Sequence, residues 1–160
     1  MNDEETCLGF HASIAGGVDN APGRLTELDC PTGQVFLSNN RQWAVRDLRD
    51  GEVEAYQEAA EQLPGPITAH ACYLINLAKP EQEAWEKSVK TLTKEVERAD
   101  VFGIESIVLH PGSHVGSGEE DGIQRIAEGI NEVLGRTPEA VTSILLETMA
   151  GQGTSLGYRL

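Results

Sequence analysis

The chain has 160 residues, 26 acidic against 12 basic, and a formal charge of −14. That length suits one domain, residues 1–160, and 39% apolar residues suffice to fill a core. No run approaches the roughly 18–20 apolar residues of a membrane span, and the acidic opening Met1-Asn2-Asp3-Glu4-Glu5 is no signal peptide.

Short β-rich runs alternate with longer helical segments, the pattern of parallel βα units. Leu8–Ser13 reads as a first strand, followed by a Gly-Gly turn and a helix over Val18–Leu28. Gly33–Ser38 reads as the second strand; the polar stretch Asn39–Asp50 leads into a helix stopped by Pro64-Gly65-Pro66. Ile67–His70 is a short third strand. After Pro80, Trp85, Val89, Leu92, Val96 and Ala99 step by three and four and predict a helix with Glu and Lys on its outer face. Ile104–His110 is the fourth strand, apolar enough in Ile107-Val108-Leu109 to be buried on both faces. A Gly-rich loop, Pro111–Gly118, precedes a helix expected to carry Ile123, Ile126, Ala127, Ile130 and Leu134 on one stripe. Val141–Glu147 is the fifth strand, and Thr148–Leu160 reads as loop. The order β-α-β-α-β-α-β-α-β fits five units of a TIM (βα)₈ barrel, which takes about 250 residues, or a small open α/β sheet.

The charge has a texture. Lysine is confined to Lys79, Lys87, Lys90 and Lys94, whereas acids recur along the predicted helices, among them Glu52, Glu54, Glu58, Glu61, Glu81, Glu83, Glu86, Glu95 and Glu97. This reads as a solvated acidic surface of a halophilic chain, since high salt screens such self-repulsion; an ordinary acidic cytosolic protein is the alternative. Three cysteines without a CxxC spacing (Cys7, Cys30, Cys72) indicate reduced thiols in a cytoplasm. The overall charge argues against a nucleic-acid partner held by basic residues alone.

Three polar residues end otherwise apolar strands: His70, His110 and Glu147, separated by 40 and 37 residues, about one βα unit each. Such spacing brings equivalent positions on consecutive parallel strands side by side at one register, at the mouth where barrel sites lie. Two imidazoles and a carboxylate there suit Zn²⁺ or another transition metal. His11 falls in the same layer, and His114 in the next loop is a candidate ligand or substrate contact. Strand-end histidines are also commonly plain hydrogen-bonded residues; it is the coincidence of three that favours a metal. Nucleotide and hydrolase fingerprints are absent: no Gly-x-Ser-x-Gly, no P-loop, no Gly-x-Gly-x-x-Gly. Cys72 could pair with His70 as a nucleophile, but a free buried or half-buried thiol is the better reading. Two loops expose groups able to wedge into or stack on bases, Asn39-Asn40-Arg41-Gln42-Trp43 and Tyr73-Leu74-Ile75-Asn76-Leu77, although composition alone favours local packing.

Five segments in order carry a more specific likeness. They are Gly9-Phe10-His11-Ala12-Ser13 with Ala15-Gly16-Gly17, Asn40-Arg41-Gln42-Trp43, His70 through Leu77, Leu109-His110-Pro111-Gly112-Ser113-His114, and Glu147-Thr148-Met149-Ala150-Gly151-Gln152-Gly153. Together they resemble the motifs of the endonuclease IV family of apurinic/apyrimidinic endonucleases. The resemblance implies a zinc-dependent TIM barrel that repairs double-stranded DNA, hydrolysing the phosphodiester 5′ to an abasic site and leaving a 3′-hydroxyl. It implies that His70 and His110 hold one Zn²⁺, that Glu147 bridges it to a second, and that Arg41, Tyr73 and Leu74 penetrate the base stack. His11, His114 and Gln152 become candidates for supporting or substrate contacts, and Mn²⁺ is an alternative metal. Asn39 stands where the family commonly has lysine, and Cys72 where it has proline or serine.

The match covers five of the family's eight βα units, so ligands completing a three-metal site have no counterpart here, and one or two metals are the most this chain supports. Its first and fifth strands are expected to be unpaired edges with apolar groups exposed. The expectation is a truncated or split gene product, a chain closed by a second copy or a complementary C-terminal fragment, or a half-barrel of reduced activity. A xylose isomerase-like sugar isomerase or epimerase and a catalytically inactive DNA-binding remnant are the other readings.

Overall fold

Five strands alternate with four helices in the computed structural model, which describes residues 7–159. They are β1 (Gly9–Ala12), α1 (Ala21–Glu27, entered through a 3₁₀ turn at Val18–Asn20), β2 (Thr32–Phe36), α2 (Glu52–Ala60) and β3 (Ile67–His70). There follow α3 (Gln82–Phe102), β4 (Ser106–Leu109), α4 (Glu119–Arg136) and β5 (Ser143–Leu146). All neighbours pair in parallel in the order β1-β2-β3-β4-β5, so each helix is a crossover between adjacent strands. The predicted element order is the observed one: β3 has the expected bounds, β1, β4 and β5 are one to two residues shorter at each end, and β2 starts one residue earlier and ends two earlier than expected.

The register sorts the strand residues into two faces. Ala12, Val35, Ala69, Ile107 and Ile144 are aligned across the sheet and turn toward the helices, where all but the half-buried Ile144 are closed off from solvent. Phe36, His70, Val108 and Leu145 align on the opposite, inward face. Val108 is therefore only half-buried, and β4 is not covered on both faces as its composition suggests. Helix α3 supplies the largest share of the core through Trp85, Val89, Leu92, Val96, Ala99 and Phe102. It ends at Gly103, whose φ of 76° is the left-handed cap that lets Ile104 N–H return to Ala99 O at 2.9 Å.

Helix α4 departs from expectation. Its buried face is Gly122, Ile126, Gly129 and Val133, with Ile130 half-buried, whereas Ile123, Ala127 and Leu134 are exposed. Two glycines on that face admit the tight approach of Leu156 and Leu77. At β5, Leu145 and Leu146 are 46% and 53% exposed. At the other end Leu8 and Leu28 are exposed as well. The sheet is thus open at β1 and β5 among the described residues, as the half-barrel reading requires.

The acidic surface also needs correction. Glu52 and Glu95 are 2% and 1% exposed and belong to the interior. Residues 148–159 form no strand or helix but are not loose: Ser113 bridges Ser155, and His114 N–H and Leu156 N–H bond across to Thr154 O and Gly112 O. All three cysteines are free. No helix among the described residues is long and apolar enough to cross a membrane.

Candidate metal centre

His70 closes β3, while His110 and Glu147 follow the last residues of β4 and β5, all at the C-terminal edge of the sheet. Their donor atoms lie within 4.8 Å of one another. Nε2 of His70 and Nε2 of His110 are 3.2 and 3.3 Å from the same Glu147 oxygen, Oε2. The three are not at one register, as the spacing suggested: His70 pairs with Val108, and His110 stands two residues further along. This two-residue stagger between β3 and β4 is the strand offset of a barrel, and it draws the imidazoles together with centroids 5.0 Å apart.

The donor set fits a cation. His70 Nδ1 lies 2.7 Å from Ala71 O; a carbonyl only accepts, so Nδ1 carries the proton and Nε2 presents a lone pair. That lone pair faces a carboxylate oxygen at 3.2 Å, an arrangement that needs a proton or a metal between the two. Burial and the neighbouring His70 both push the His110 pKa down, against the opposing pull of Glu147. Neutral imidazole, the metal-binding form, is favoured there.

The remaining predicted residues fall into two groups. Tyr73 is 50% exposed and its ring stands 5.3 Å from His70 and 5.4 Å from His110. His11 lies 6.1 Å from His70, outside the ligand group, with its pKa lowered by burial and by His70. Arg41 is exposed on the β2–α2 loop, its N–H held by Asn39 Oδ1. Leu74 is half-buried against the core. His114 and Gln152 are not brought into the group. His114 Nδ1 accepts from Gly116 N–H and Gly118 N–H and so shapes its own loop, and Gln152 is exposed in a turn. Trp43 packs under the Lys87 ammonium at 4.4 Å rather than projecting freely. A cleft of about 760 Å³ opens beside the group, between His11, Gly16, Ser38, Asn40, Gln42 and Arg46.

Several organising residues escaped the sequence reading. Phe36 sits 4.3 Å from His11, 5.3 Å from His70 and 5.2 Å from Tyr73, and it backs all three rings. Four polar links join consecutive βα loops. Glu52 accepts from Val18 N–H and from Arg46 and Arg49, tying the first loop to the second. Glu95 accepts from Ser38 Oγ at 3.2 Å and Cys72 N–H at 2.9 Å, tying the second to the third. Asn76 bonds both Ser113 N–H and Ser113 O at 2.9 Å, tying the third to the fourth. Gly112 is required here: with φ 123°, a Cβ would lie 2.4 Å from Asn76 Oδ1. Ser113 and Thr154 hydroxyls at 2.5 Å tie the fourth to the segment after β5.

Cys72 is no nucleophile in this setting. Its thiol donates to Asn40 O at 3.3 Å, and burial pushes its pKa up, with Glu95 adding to the shift. Burial likewise raises Glu95 to about 7, against the bonds from Cys72 and Ser38 and the charge of Arg98. The native state therefore holds a proton that the unfolded chain, titrating near 4.5, has released. The stability favoured by that proton is fully present below pH 4.5 and is lost as pH rises through 7. Over that window the loss amounts to about 3 kcal/mol. A Glu95→Gln chain removes it, and denaturant melts at pH 5 and pH 8 check that the difference between them shrinks.

Fold and site together define a class: a parallel βα protein of barrel type with a His/His/Glu group at the C-terminal mouth. The family described as xylose isomerase-like TIM barrel matches residues 24–160, and the chain belongs to that family. It is 46% identical over 159 residues to a probable endonuclease 4 of Geobacter sulfurreducens, covering 99% of this chain and 53% of that protein. It is 41% identical over 151 residues to one of Halothermothrix orenii, covering 94% and 54%. The crystal structure of endonuclease IV from Thermus thermophilus superposes with a TM-score of 0.82 at 38% identity, over 94% of this chain and 55% of that one. The chain thus spans about half the length of the relatives it matches. A D-tagatose 3-epimerase-like protein shares only the fold, at 16% identity and a TM-score of 0.68.

Proposed function

We propose that this chain provides the first metal site and the lesion-facing loops of a DNA-repair endonuclease of the endonuclease IV type. The reaction is hydrolysis of the phosphodiester 5′ to an abasic site in double-stranded DNA, leaving a 3′-hydroxyl. The observation that carries the reading is the convergence of two Nε2 atoms on one Glu147 oxygen at the strand mouth, in a chain so similar to probable endonucleases 4. His70, His110 and Glu147 would hold Zn²⁺, with Mn²⁺ the alternative. Bound there, the metal supplies Lewis-acid stabilisation of charge developing on the phosphate.

The chain's own residues do the rest. His70 is fixed by its bond to Ala71 O, and Phe36 keeps the aromatic floor rigid. Tyr73 presents a half-exposed ring beside the metal ligands, suited to stack where a base is missing. Arg41 supplies a cation on the neighbouring loop. With a chain of net charge −14 and few lysines, binding rests on these local contacts and the metal rather than on a general phosphate field. The same acidity and the free thiols support a halophilic protein of a reducing cytoplasm. The open edges at β1 and β5 support completion of the barrel by a complementary C-terminal segment or a second copy, which would bring the remaining ligands.

The test is incision of a duplex bearing one abasic site, in molar salt with added Zn²⁺. Cutting on the 5′ side, abolished in a His110→Ala chain, is the expected result. Binding without cutting identifies an inactive remnant, and sugar turnover with no action on DNA overturns the proposal. A Tyr73→Ala chain is expected to bind the abasic duplex roughly tenfold more weakly, the scale of one lost stacking contact of about 1–3 kcal/mol; fluorescence anisotropy measures it.

A further inference from the structure

We propose that Glu95 is the remote carboxylate that orients His70 for metal binding, acting through the Ala71–Cys72 peptide group. The inference rests on the metal-centre reading above but concerns a residue 25 positions away, on helix α3. The peptide joining Ala71 to Cys72 bears one carbonyl and one N–H, pointing in opposite directions across its plane. The carbonyl accepts from His70 Nδ1–H at 2.7 Å, and the N–H donates to Glu95 Oε2 at 2.9 Å. The chain of contacts therefore runs from Glu95 through one peptide group to Nδ1, and from there across the ring to Nε2, which faces Glu147.

Metal-ligating histidines commonly donate their other ring N–H to a carboxylate or a carbonyl, which fixes tautomer and ring orientation. Here the carbonyl is the immediate partner and the carboxylate holds that carbonyl in place. Bonds in such a chain polarise one another in the same direction. Glu95 is 1% exposed and, among the described residues, its only other hydrogen-bond partner is Ser38, so no solvent competes for it. When the carboxyl is protonated, Oε1 can donate to Ser38 Oγ and Oε2 still accepts from Cys72. The geometry therefore does not depend on the charge state. Its position on α3 looks like a misplaced surface acid until this role is considered.

The proposal makes Glu95 a positioning residue, and two readouts in the full chain test it. The first is Co²⁺ affinity followed by visible absorption; the second is the His70 Nδ1–H resonance in ¹H–¹⁵N spectra of the metal-free protein. Glu95→Met, similar in volume but unable to accept, is expected to weaken Co²⁺ binding by roughly 10–100-fold and to lose the protected Nδ1–H resonance. Glu95→Gln keeps an acceptor toward Cys72 and is expected to stay within about threefold of the parent chain and to keep the resonance. Thermal melts of both confirm that the fold is retained. An unchanged resonance and affinity in Glu95→Met overturns the proposal. Should that variant fail to fold, a loss of the resonance in a folded Glu95→Gln chain overturns it instead. If the parent chain takes up no Co²⁺, the metal-centre reading fails on its own, and the metal-free resonance still decides the role of Glu95.

Discussion

Replacing Glu147 by glutamine is expected to weaken Zn²⁺ binding by two to three orders of magnitude while raising the stability of the metal-free chain. The first effect follows from charge. Glu147 is the one anionic donor in the group, and without it two neutral imidazoles face the cation. Removing one partner from a tight charged contact costs about 3–5 kcal/mol where the contact is buried, and the half-exposed Glu147 belongs at the lower end of that range. The second effect follows from the lone pairs. In the metal-free chain the His70 Nε2 lone pair lies 3.2 Å from a Glu147 oxygen, and His110 Nε2 lies 3.3 Å from the same oxygen. A glutamine amide turns one of these into a donor–acceptor pair. Calorimetry at pH 8, with and without Zn²⁺, reads both. The parent chain melts higher with the metal, as any ligand bound only to the native state requires. The Glu147→Gln chain melts higher without it and does not respond to it. A variant that keeps the Zn²⁺-induced rise removes Glu147 from the site. Opposed signs of this kind separate a residue retained for function from one retained for packing.

The sites legible in the sequence were those that the fold exposes by position. His70, His110 and Glu147 end three apolar runs, and a parallel sheet gathers its strand ends whatever the details of packing. The offset between them was not legible, because the two-residue stagger belongs to the curvature of the whole sheet rather than to any one strand. On α4, counting only Ile, Leu and Ala selected a stripe rotated away from the real one, since Gly122 and Gly129 carry no apolar side chain yet sit against Leu156 and Leu77. Buried acids were the larger omission. Glu95 falls three residues after Leu92 and four before Ala99, on the very stripe that packs inward, and that placement was the available signal. Nothing in a single sequence says that Ser38 and the Cys72 amide wait opposite it, because both arrive from loops more than twenty residues away. Trp43 fits packing or recognition by residue type, and only the Lys87 ammonium over its ring, which the fold brings from 44 residues away, assigns it to packing.

Glu52 carries the largest expected effect on stability. Its side chain is fully enclosed, and Arg46 grips both carboxylate oxygens, with Nη1 to Oε2 at 2.8 Å and Nη2 to Oε1. Arg49 N–H adds a bond at 3.0 Å and Val18 N–H one at 3.3 Å. Arg46 O in turn accepts from the buried Arg98 at 2.7 Å, so the contact is anchored to α3 as well. A Glu52→Ala substitution leaves two backbone donors and the Arg46 guanidinium without their acceptor, which costs about 3 kcal/mol, the lower end of the scale for broken buried pairs because the Arg46 side chain is 46% exposed and rehydrates. For a chain of this size that lowers the melting midpoint by roughly 10 °C. The pH dependence gives the cleaner signature. Chiefly because Arg46 bonds it, Glu52 is held at about 2, against 4.5 when unperturbed. A depressed carboxylate stabilises the fold above its unfolded value and loses that contribution as pH falls from 4.5 toward 2. Glu95 has the opposite sign, favouring the native state at low pH. Glu52→Gln should therefore flatten the acid limb of the stability profile and Glu95→Gln the limb between 4.5 and 7. Denaturant midpoints across pH 2–8 for the two variants distinguish them, and an unaltered acid limb in Glu52→Gln would remove Arg46 and Glu52 as the link between the first two loops.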